Sequence, residues 1–84
     1  MSDNAADRLD DEAFGLLDYL MHFRNGISVA GLRSDGRRDR DTDDAAIVKL
    51  VALGFIEVPP EPHRPIVTTE EGRRAWEAES RKRG

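Results

Sequence analysis

The proline-rich segment 59–65 constrains the fold of this chain more than any other sequence feature. All four prolines of the 84-residue chain lie in it, in the order Pro-Pro-Glu-Pro-His-Arg-Pro. Proline lacks a backbone N–H and fixes φ, so this segment can form neither a helix interior nor a regular sheet ladder, and we predict a loop. Short runs of strand-forming residues flank it at 55–58 and 66–68. We therefore expect a β-hairpin closed across the loop.

A first helix is predicted over residues 9–24. Apolar side chains recur there at spacings of three and four, which marks one face of a helix. Acidic residues in the first turn favour the helix macrodipole, and Asn25-Gly26 supplies a left-handed stop after Arg24. The predicted apolar positions are Leu9, Ala13, Phe14, Leu16, Leu17, Leu20, Met21 and Phe23.

Two further helices are predicted before the hairpin. Ser28 is a suitable N-cap for a short helix over 29–34, and residues 34–40 read as a turn. A third helix is expected over about residues 42–53, with Gly54 ending it in the left-handed conformation. The residues competing for its N-cap are Asp41, Thr42 and Asp43. Its predicted buried positions are Ala46, Ile47, Leu50, Val51 and Leu53.

A fourth helix should follow the hairpin. Thr68, with Glu71 three residues later, fits a capping box, whereas Thr69 as the cap would leave both neighbouring glutamates in the first turn. The sequence is compatible with either threonine as the N-cap. Ala75 and Trp76 would face inward, and Trp76 could instead form a dimer contact.

Composition bounds the organisation of the chain. We predict a disordered acidic tail over residues 1–8, one domain over 9–80, and a basic, frayed end over 81–84. The chain has no cysteine, which excludes disulfides and thiolate sites. No apolar run approaches the roughly 20 residues of a membrane span, and no signal peptide is evident. We expect a soluble, cytoplasmic protein without a membrane partner.

The net charge of −4 is unevenly distributed. Residues 1–18 contain six acids and one base, whereas the other 66 residues contain 12 bases and 11 acids. This nearly neutral remainder lacks the basic footprint that is usual for nucleic-acid binding, although local patches count for more than the sum.

We do not expect an enzyme. The sequence has two isolated histidines, no glycine-rich phosphate loop and no Ser-His-Asp spacing. His22 fits a helix surface, and His63 has no second histidine or cysteine nearby with which to hold a metal. We predict no cofactor and no metal site.

Two segments carry a family resemblance. Residues 50–56 read Leu-Val-Ala-Leu-Gly-Phe-Ile, and residues 66–73 read Ile-Val-Thr-Thr-Glu-Glu-Gly-Arg. They resemble the winged helix-turn-helix family, in particular MarR-like and PadR-like regulators, in which Leu-x-x-x-Gly-Leu-Ile precedes a wing and Leu-Thr-x-x-Gly-Arg follows it. The resemblance covers residues 9–80. It implies an α+β winged helix with a three-helix core, a two-stranded β-hairpin wing and a C-terminal helix.

The resemblance also implies a transcriptional regulator that binds duplex DNA. Helix three would enter the major groove, and the wing would contact the minor groove or phosphates. The candidate contacts in and before the turn are Arg33, Arg37, Arg38 and Arg40. Those on helix three are Thr42, Val48 and Lys49, beside Asp43 and Asp44, and those in the wing are His63 and Arg64. A homodimer through helices one and four is the implied assembly.

The sequence departs from the family pattern in three places. Thr68 stands where leucine is usual, the wing lacks the Asp-x-Arg pattern, and helix three opens with aspartates that would repel phosphates. The alternative is a winged-helix protein-interaction module or adaptor, such as a phage or plasmid accessory protein, that does not bind DNA. If the candidate arginines converge on one face with helix three, DNA is favoured. If the aspartates between residues 35 and 44 neutralise them, the interaction module is favoured.

Overall fold

Four helices and one β-hairpin account for the regular structure of residues 9–83. The computed structural model describes residues 9–83, so the predicted tail over residues 1–8 and the terminal Gly84 lie outside the described residues. The elements in chain order are α1 (Asp11–Met21), α2 (Val29–Ser34), α3 (Arg40–Ala52), β1 (Ile56–Glu57), β2 (Val67–Thr68) and α4 (Glu70–Arg83). This order confirms the coarse prediction of a small α+β domain.

The hydrophobic core lies where α1 meets α3 and the start of the hairpin. Its largest fully buried side chains are Leu16, Leu17, Leu50, Phe55 and Ile56. Leu16 and Leu17 come from the apolar face predicted for the first helix and Leu50 from the third helix, whereas Phe55 directly precedes β1 and Ile56 begins it. Burial of this face provides the main stabilisation of a chain that has no disulfide.

The first helix is shorter than predicted. It begins after Asp10, whose carboxylate accepts a 2.7 Å hydrogen bond from the backbone N–H of Ala13, and it ends at Met21 rather than at Arg24. Gly26 does have a positive φ of 80°, but it is not the helix stop. A Cβ at this position would lie 2.8 Å from the Cβ of Pro65, so the glycine admits the proline-rich loop.

The helix caps follow local sequence signals, with one correction. Ser28 caps α2 as predicted, accepting from the N–H of Gly31 at 3.0 Å. The predicted caps of α3 are wrong: Asp39 is the N-cap, accepting from the backbone N–H and the hydroxyl of Thr42 at 2.9 and 2.5 Å. Those two bonds lower the pKa of Asp39, with the hydroxyl as the larger cause. Gly54 follows the end of α3 with φ 77°, as predicted.

The hairpin forms as predicted, but its loop folds back onto the start of α2. Strands β1 and β2 are antiparallel, with Ile56 opposite Thr68. The N–H of Ala30 donates to the carbonyl of Pro62 at 3.1 Å, and the N–H of Ile66 donates to the carbonyl of Ile27 at 2.9 Å. These bonds hold the proline-rich loop against the polypeptide that enters α2.

The two alternatives for the start of α4 are resolved in favour of Thr69. Its hydroxyl accepts from the N–H of Gly72 at 3.0 Å and donates to the carbonyl of Gly54 at 2.6 Å. The helix then continues through Arg83, beyond the point where the sequence predicts fraying. The guanidinium of Arg83 bonds Asp11 at 2.8 Å and lies 4.5 Å from the ring of Phe14, which fastens the end of α4 to α1.

Gly72 is the residue that lets α4 approach β1. A Cβ there would overlap the carbonyl oxygen of Phe55, whereas a Cβ at Gly15, on the exposed side of α1, would meet open space.

We therefore expect opposite effects from two glycine-to-alanine substitutions. Gly72→Ala should lower the free energy of unfolding by about 2 kcal/mol, because α4 must shift away from Phe55. Gly15→Ala should raise it by about 0.5–1 kcal/mol, because alanine favours the helix and nothing obstructs its methyl group. Urea unfolding followed by circular dichroism measures both. A Gly72→Ala protein as stable as the parent would contradict the close approach of α4.

Candidate interaction surface

A largely buried ion pair ties the turn before α3 to α3 itself. Arg38 donates to both carboxylate oxygens of Asp43, from Nε at 2.9 Å and from Nη2 at 2.7 Å. Asp43 is only 6% exposed, although the sequence places it on the solvent side of the helix. The guanidinium also lies 4.2 Å from the ring centroid of Tyr19 in α1. Hydrogen bonding to Asp43 raises the pKa of Arg38 above its ordinary value.

The same turn is fastened to α1 by a second polar contact. The hydroxyl of Tyr19 donates to Asp35 at 3.0 Å, and the N–H of Arg37 donates to the other oxygen of that carboxylate at 3.0 Å. The backbone bond from Arg37 and then the bond from Tyr19 lower the pKa of Asp35. Burial, followed by the bond to Asp35, raises the pKa of Tyr19. Arg38 is thus part of the framework that positions α3.

The other arginines of the turn region are also paired with aspartates. Asp44 accepts from Arg33 at 3.0 Å and lies 3.9 Å from Arg40. Arg37 lies 3.6 Å from Asp35, yet its side chain is 94% exposed. Each arginine predicted here as a DNA contact therefore has a carboxylate partner.

The remaining predicted contacts do not join this cluster. Lys49 bonds Asp10 at the start of α1 at 2.6 Å, and this bond is the main cause of the lowered pKa of Asp10. Thr42 is bonded to the cap of α3. His63 and Arg64 lie in the loop beside the start of α2, with Arg64 4.0 Å from Glu61. The paired arginines and aspartates of residues 33–44 lie at the other end of α2, which is about 9 Å long.

The solvent-facing side of α3 is apolar. Val48 is 68% exposed and Val51 45% exposed, which corrects the prediction that Val51 is buried. Leu50 points into the core, and Val51 lies about 100° further round the helix, at the edge of the buried face. We call the exposed apolar residues of this helix the outer α3 surface; they are Ala45, Val48, Val51 and Ala52.

A shallow cavity lies between α2 and α3. Its volume is about 30 Å³, and it is open to solvent. Its apolar lining residues are Val29, Leu32 and Ile47, and its charged ones are Arg33, Arg38, Arg40, Asp43 and Asp44. The sequence gives no signal for this cavity, because it depends on the distance between two helices.

Helices α1 and α4, which the sequence offers as a dimer interface, pack on each other within the chain. The indole N–H of Trp76 donates to Asp18 at 2.9 Å, and Arg83 spans Asp11 and Glu79. Over residues 9–83, the exposed large apolar side chains are Phe23, Val48, Val51 and Val67, none of which belongs to α1 or α4.

Comparison with known proteins gave no matching family model, no matching curated protein and no matching solved structure. Across the described part of the chain, no three His, Cys, Asp or Glu side chains are grouped so as to hold a metal ion. No described helix combines the length and apolar composition needed to cross a bilayer.

The buried ion pair predicts that alanine substitutions of two neighbouring arginines change the free energy of unfolding by very different amounts. Arg38→Ala should lower the free energy of unfolding by about 3 kcal/mol, because it leaves the carboxylate of Asp43 buried without its partner. Arg37→Ala removes an almost fully exposed side chain and should change it by less than about 0.5 kcal/mol. Urea denaturation of both variants measures the difference. Equal midpoints would show that the Arg38–Asp43 pair does not hold the turn on α3.

Proposed function

We propose that this chain is a small winged helix-turn-helix domain that binds another protein through the outer α3 surface. The order of elements supports the winged-helix assignment, since a short helix, a turn and a longer helix precede a hairpin and a final helix. So do the local roles of Gly54 and Gly72, which match the two segments that carry the family resemblance. The role is one of binding and not of catalysis.

The proposal depends on the apolar character of the outer α3 surface. A helix that reads base edges needs hydrogen-bonding side chains towards the groove. Beyond its first turn, the exposed side of α3 presents two valines and two alanines, and the one cation of α3 beyond Arg40 is Lys49, which is bonded to Asp10. Exposed apolar side chains grouped on one helix face are typical of a protein-binding site.

The pairing of charges supports the same proposal. Binding to phosphates requires cations that are free to exchange counterions. Arg38 would have to leave a bidentate, largely buried carboxylate, and Arg33 would have to leave Asp44. With four arginines and five aspartates, residues 33–44 therefore carry a net charge of −1.

Duplex DNA is the second candidate partner, and two side chains favour it. Arg37 and Arg40 are 94% and 72% exposed, and their carboxylate contacts are long, at 3.6 and 3.9 Å. A phosphate could replace such contacts at little cost, because exposed ion pairs are weak.

A salt titration against random-sequence duplex DNA separates the two candidates. Our proposal predicts that, between about 50 and 200 mM salt, substituting the turn arginines does not change any salt-dependent binding to DNA. The test variant is Arg37→Ala/Arg40→Ala, and the matched control is Arg73→Ala/Arg74→Ala, which removes two exposed arginines from α4. Binding whose log–log salt slope falls by about 2 in the test variant alone would favour DNA instead.

Photo-crosslinking tests the protein partner directly. A photoreactive residue at position 48 should form adducts with a specific protein in extracts of the producing cells, whereas one at position 74, on the charged face of α4, should not. Excess unlabelled parent protein should compete for the adduct, and Val48→Asp/Val51→Asp should not. If that variant competes as well as the parent, the outer α3 surface is not the binding site.

A further inference from the structure

The turn that joins α1 to α2 contains a chemically reactive dipeptide, Asn25-Gly26. When glycine follows asparagine, the backbone nitrogen of the glycine can reach the side-chain amide carbon, because no Cβ obstructs the approach. Asn25 is exposed, and within residues 9–83 its carboxamide has no hydrogen-bond partner that would hold it away from that nitrogen. The side chain can therefore rotate into the geometry needed for ring closure.

The packing of the fold requires the glycine of this pair. Gly26 has a φ of 80°, and a Cβ there would lie 2.8 Å from the Cβ of Pro65. Another residue would be strained in this conformation and would collide with the proline-rich loop. The contact with Pro65 therefore places next to Asn25 the residue type that least obstructs attack on its side chain.

One hydrogen bond restrains the attacking nitrogen. The N–H of Gly26 donates to the carbonyl of Phe23 at 3.0 Å. This bond closes a turn at the surface and lies outside the helices and the hairpin, so local opening releases it without unfolding the domain. The nitrogen can then lose its proton to solvent and attack Asn25.

The comparable pair Asp35-Gly36 is protected. The carboxylate of Asp35 accepts from the backbone N–H of Arg37 and from the hydroxyl of Tyr19, both at 3.0 Å. The bond from Arg37 and then the bond from Tyr19 lower the pKa of Asp35, so the carboxylate stays ionised. Because a carboxylate anion resists attack by a backbone nitrogen, the structure protects this pair and leaves Asn25 exposed.

We infer that Asn25 is a site of spontaneous, irreversible deamidation. The backbone nitrogen of Gly26 bonds to Cγ of Asn25, the bond from Cγ to Nδ2 breaks, and ammonia leaves with the proton of the Gly26 amide. Water then opens the cyclic imide. Its attack at Cγ gives aspartate, whereas its attack at the main-chain carbonyl of residue 25 leaves Gly26 joined through Cγ, which is isoaspartate. The net reaction consumes water and releases ammonia.

The isoaspartate product should loosen the proline-rich loop. It inserts a methylene group into the main chain directly before Gly26, where Pro65 leaves no room for an additional carbon. The carbonyl of Ile27, the next residue, accepts from the N–H of Ile66 at 2.9 Å, and the N–H of Ala30 donates to the loop at 3.1 Å. These two bonds hold the loop on the start of α2, so a displacement of Gly26 should weaken both.

Incubation of the full chain at physiological temperature in mildly alkaline buffer, followed by tryptic digestion and mass spectrometry, tests the inference. Trypsin places the two asparagines on separate fragments, residues 1–8 and 25–33, and Asp35 on fragment 34–37. Fragment 25–33 should become about 1 Da heavier as the amide becomes an acid, and it should accept methyl groups from a protein isoaspartyl methyltransferase. Fragment 1–8, in which alanine follows Asn4, and fragment 34–37 should stay unchanged over the same period. A sample digested without incubation gives the baseline.

Two variants separate the chemistry from its structural consequence. Asn25→Gln lengthens the side chain, which disfavours the five-membered ring, so its fragment 25–33 should keep its mass. Asn25→Asp introduces the negative charge without the additional methylene group. Amide hydrogen exchange at Ile66 and Ala30 should be faster in the isoaspartyl form, isolated by chromatography, than in the parent or in freshly prepared Asn25→Asp.

The inference is wrong if fragment 25–33 gains mass no faster than fragment 1–8, or if it changes only when the chain is unfolded in urea. The first result would show that the Asn25-Gly26 pair is not especially reactive, and the second that the turn protects it. Equal exchange of Ile66 in the isoaspartyl form and in the parent would refute the loosening of the loop.

Discussion

The ion pair between Arg38 and Asp43 is the contact on which the placement of α3 depends. Removing two charges from water is costly, and here two short hydrogen bonds and the ring of Tyr19 offset that cost. The pair closes the turn onto α3, and Tyr19 fixes the same turn to α1 through Asp35. Because its guanidinium is bonded to Asp43, this arginine contributes to the packing of the turn on α3 and is not a free cation.

Most of the fold can be predicted from the sequence where the signals are local. Ser28 as a cap, Gly54 as a helix end and strands on both sides of the proline-rich loop all depend on neighbours a few residues away. The errors arise where tertiary contacts decide. Asp39 outcompetes three other candidate caps because its carboxylate reaches the N–H of Thr42. The first helix ends early because the chain turns to bring Gly26 against Pro65.

The candidate site was less predictable than the fold, because charge counts do not determine charge pairing. The sequence shows four arginines and five aspartates between residues 33 and 44, and this composition is compatible with either a phosphate-binding patch or a neutral one. The distances show how these charges are paired: Asp44 lies beside two arginines, Asp43 binds Arg38, and Lys49 binds Asp10. The exposure of Val51 also differs from the prediction, because the seven apolar residues of α3 cannot all face one core.

The contacts made by the rest of the molecule explain why the outer α3 surface is exposed. Arg83 and Trp76 hold α4 against α1, and the proline-rich loop packs against the start of α2. Helices α4 and α1 therefore cover each other, and the loop covers the start of α2. The opposite side of α3 is anchored to α1 by Leu50 in the core and by the Lys49–Asp10 bond at its edge. The exposure of Val48 and Val51 therefore follows from the contacts that fix the opposite side of the helix.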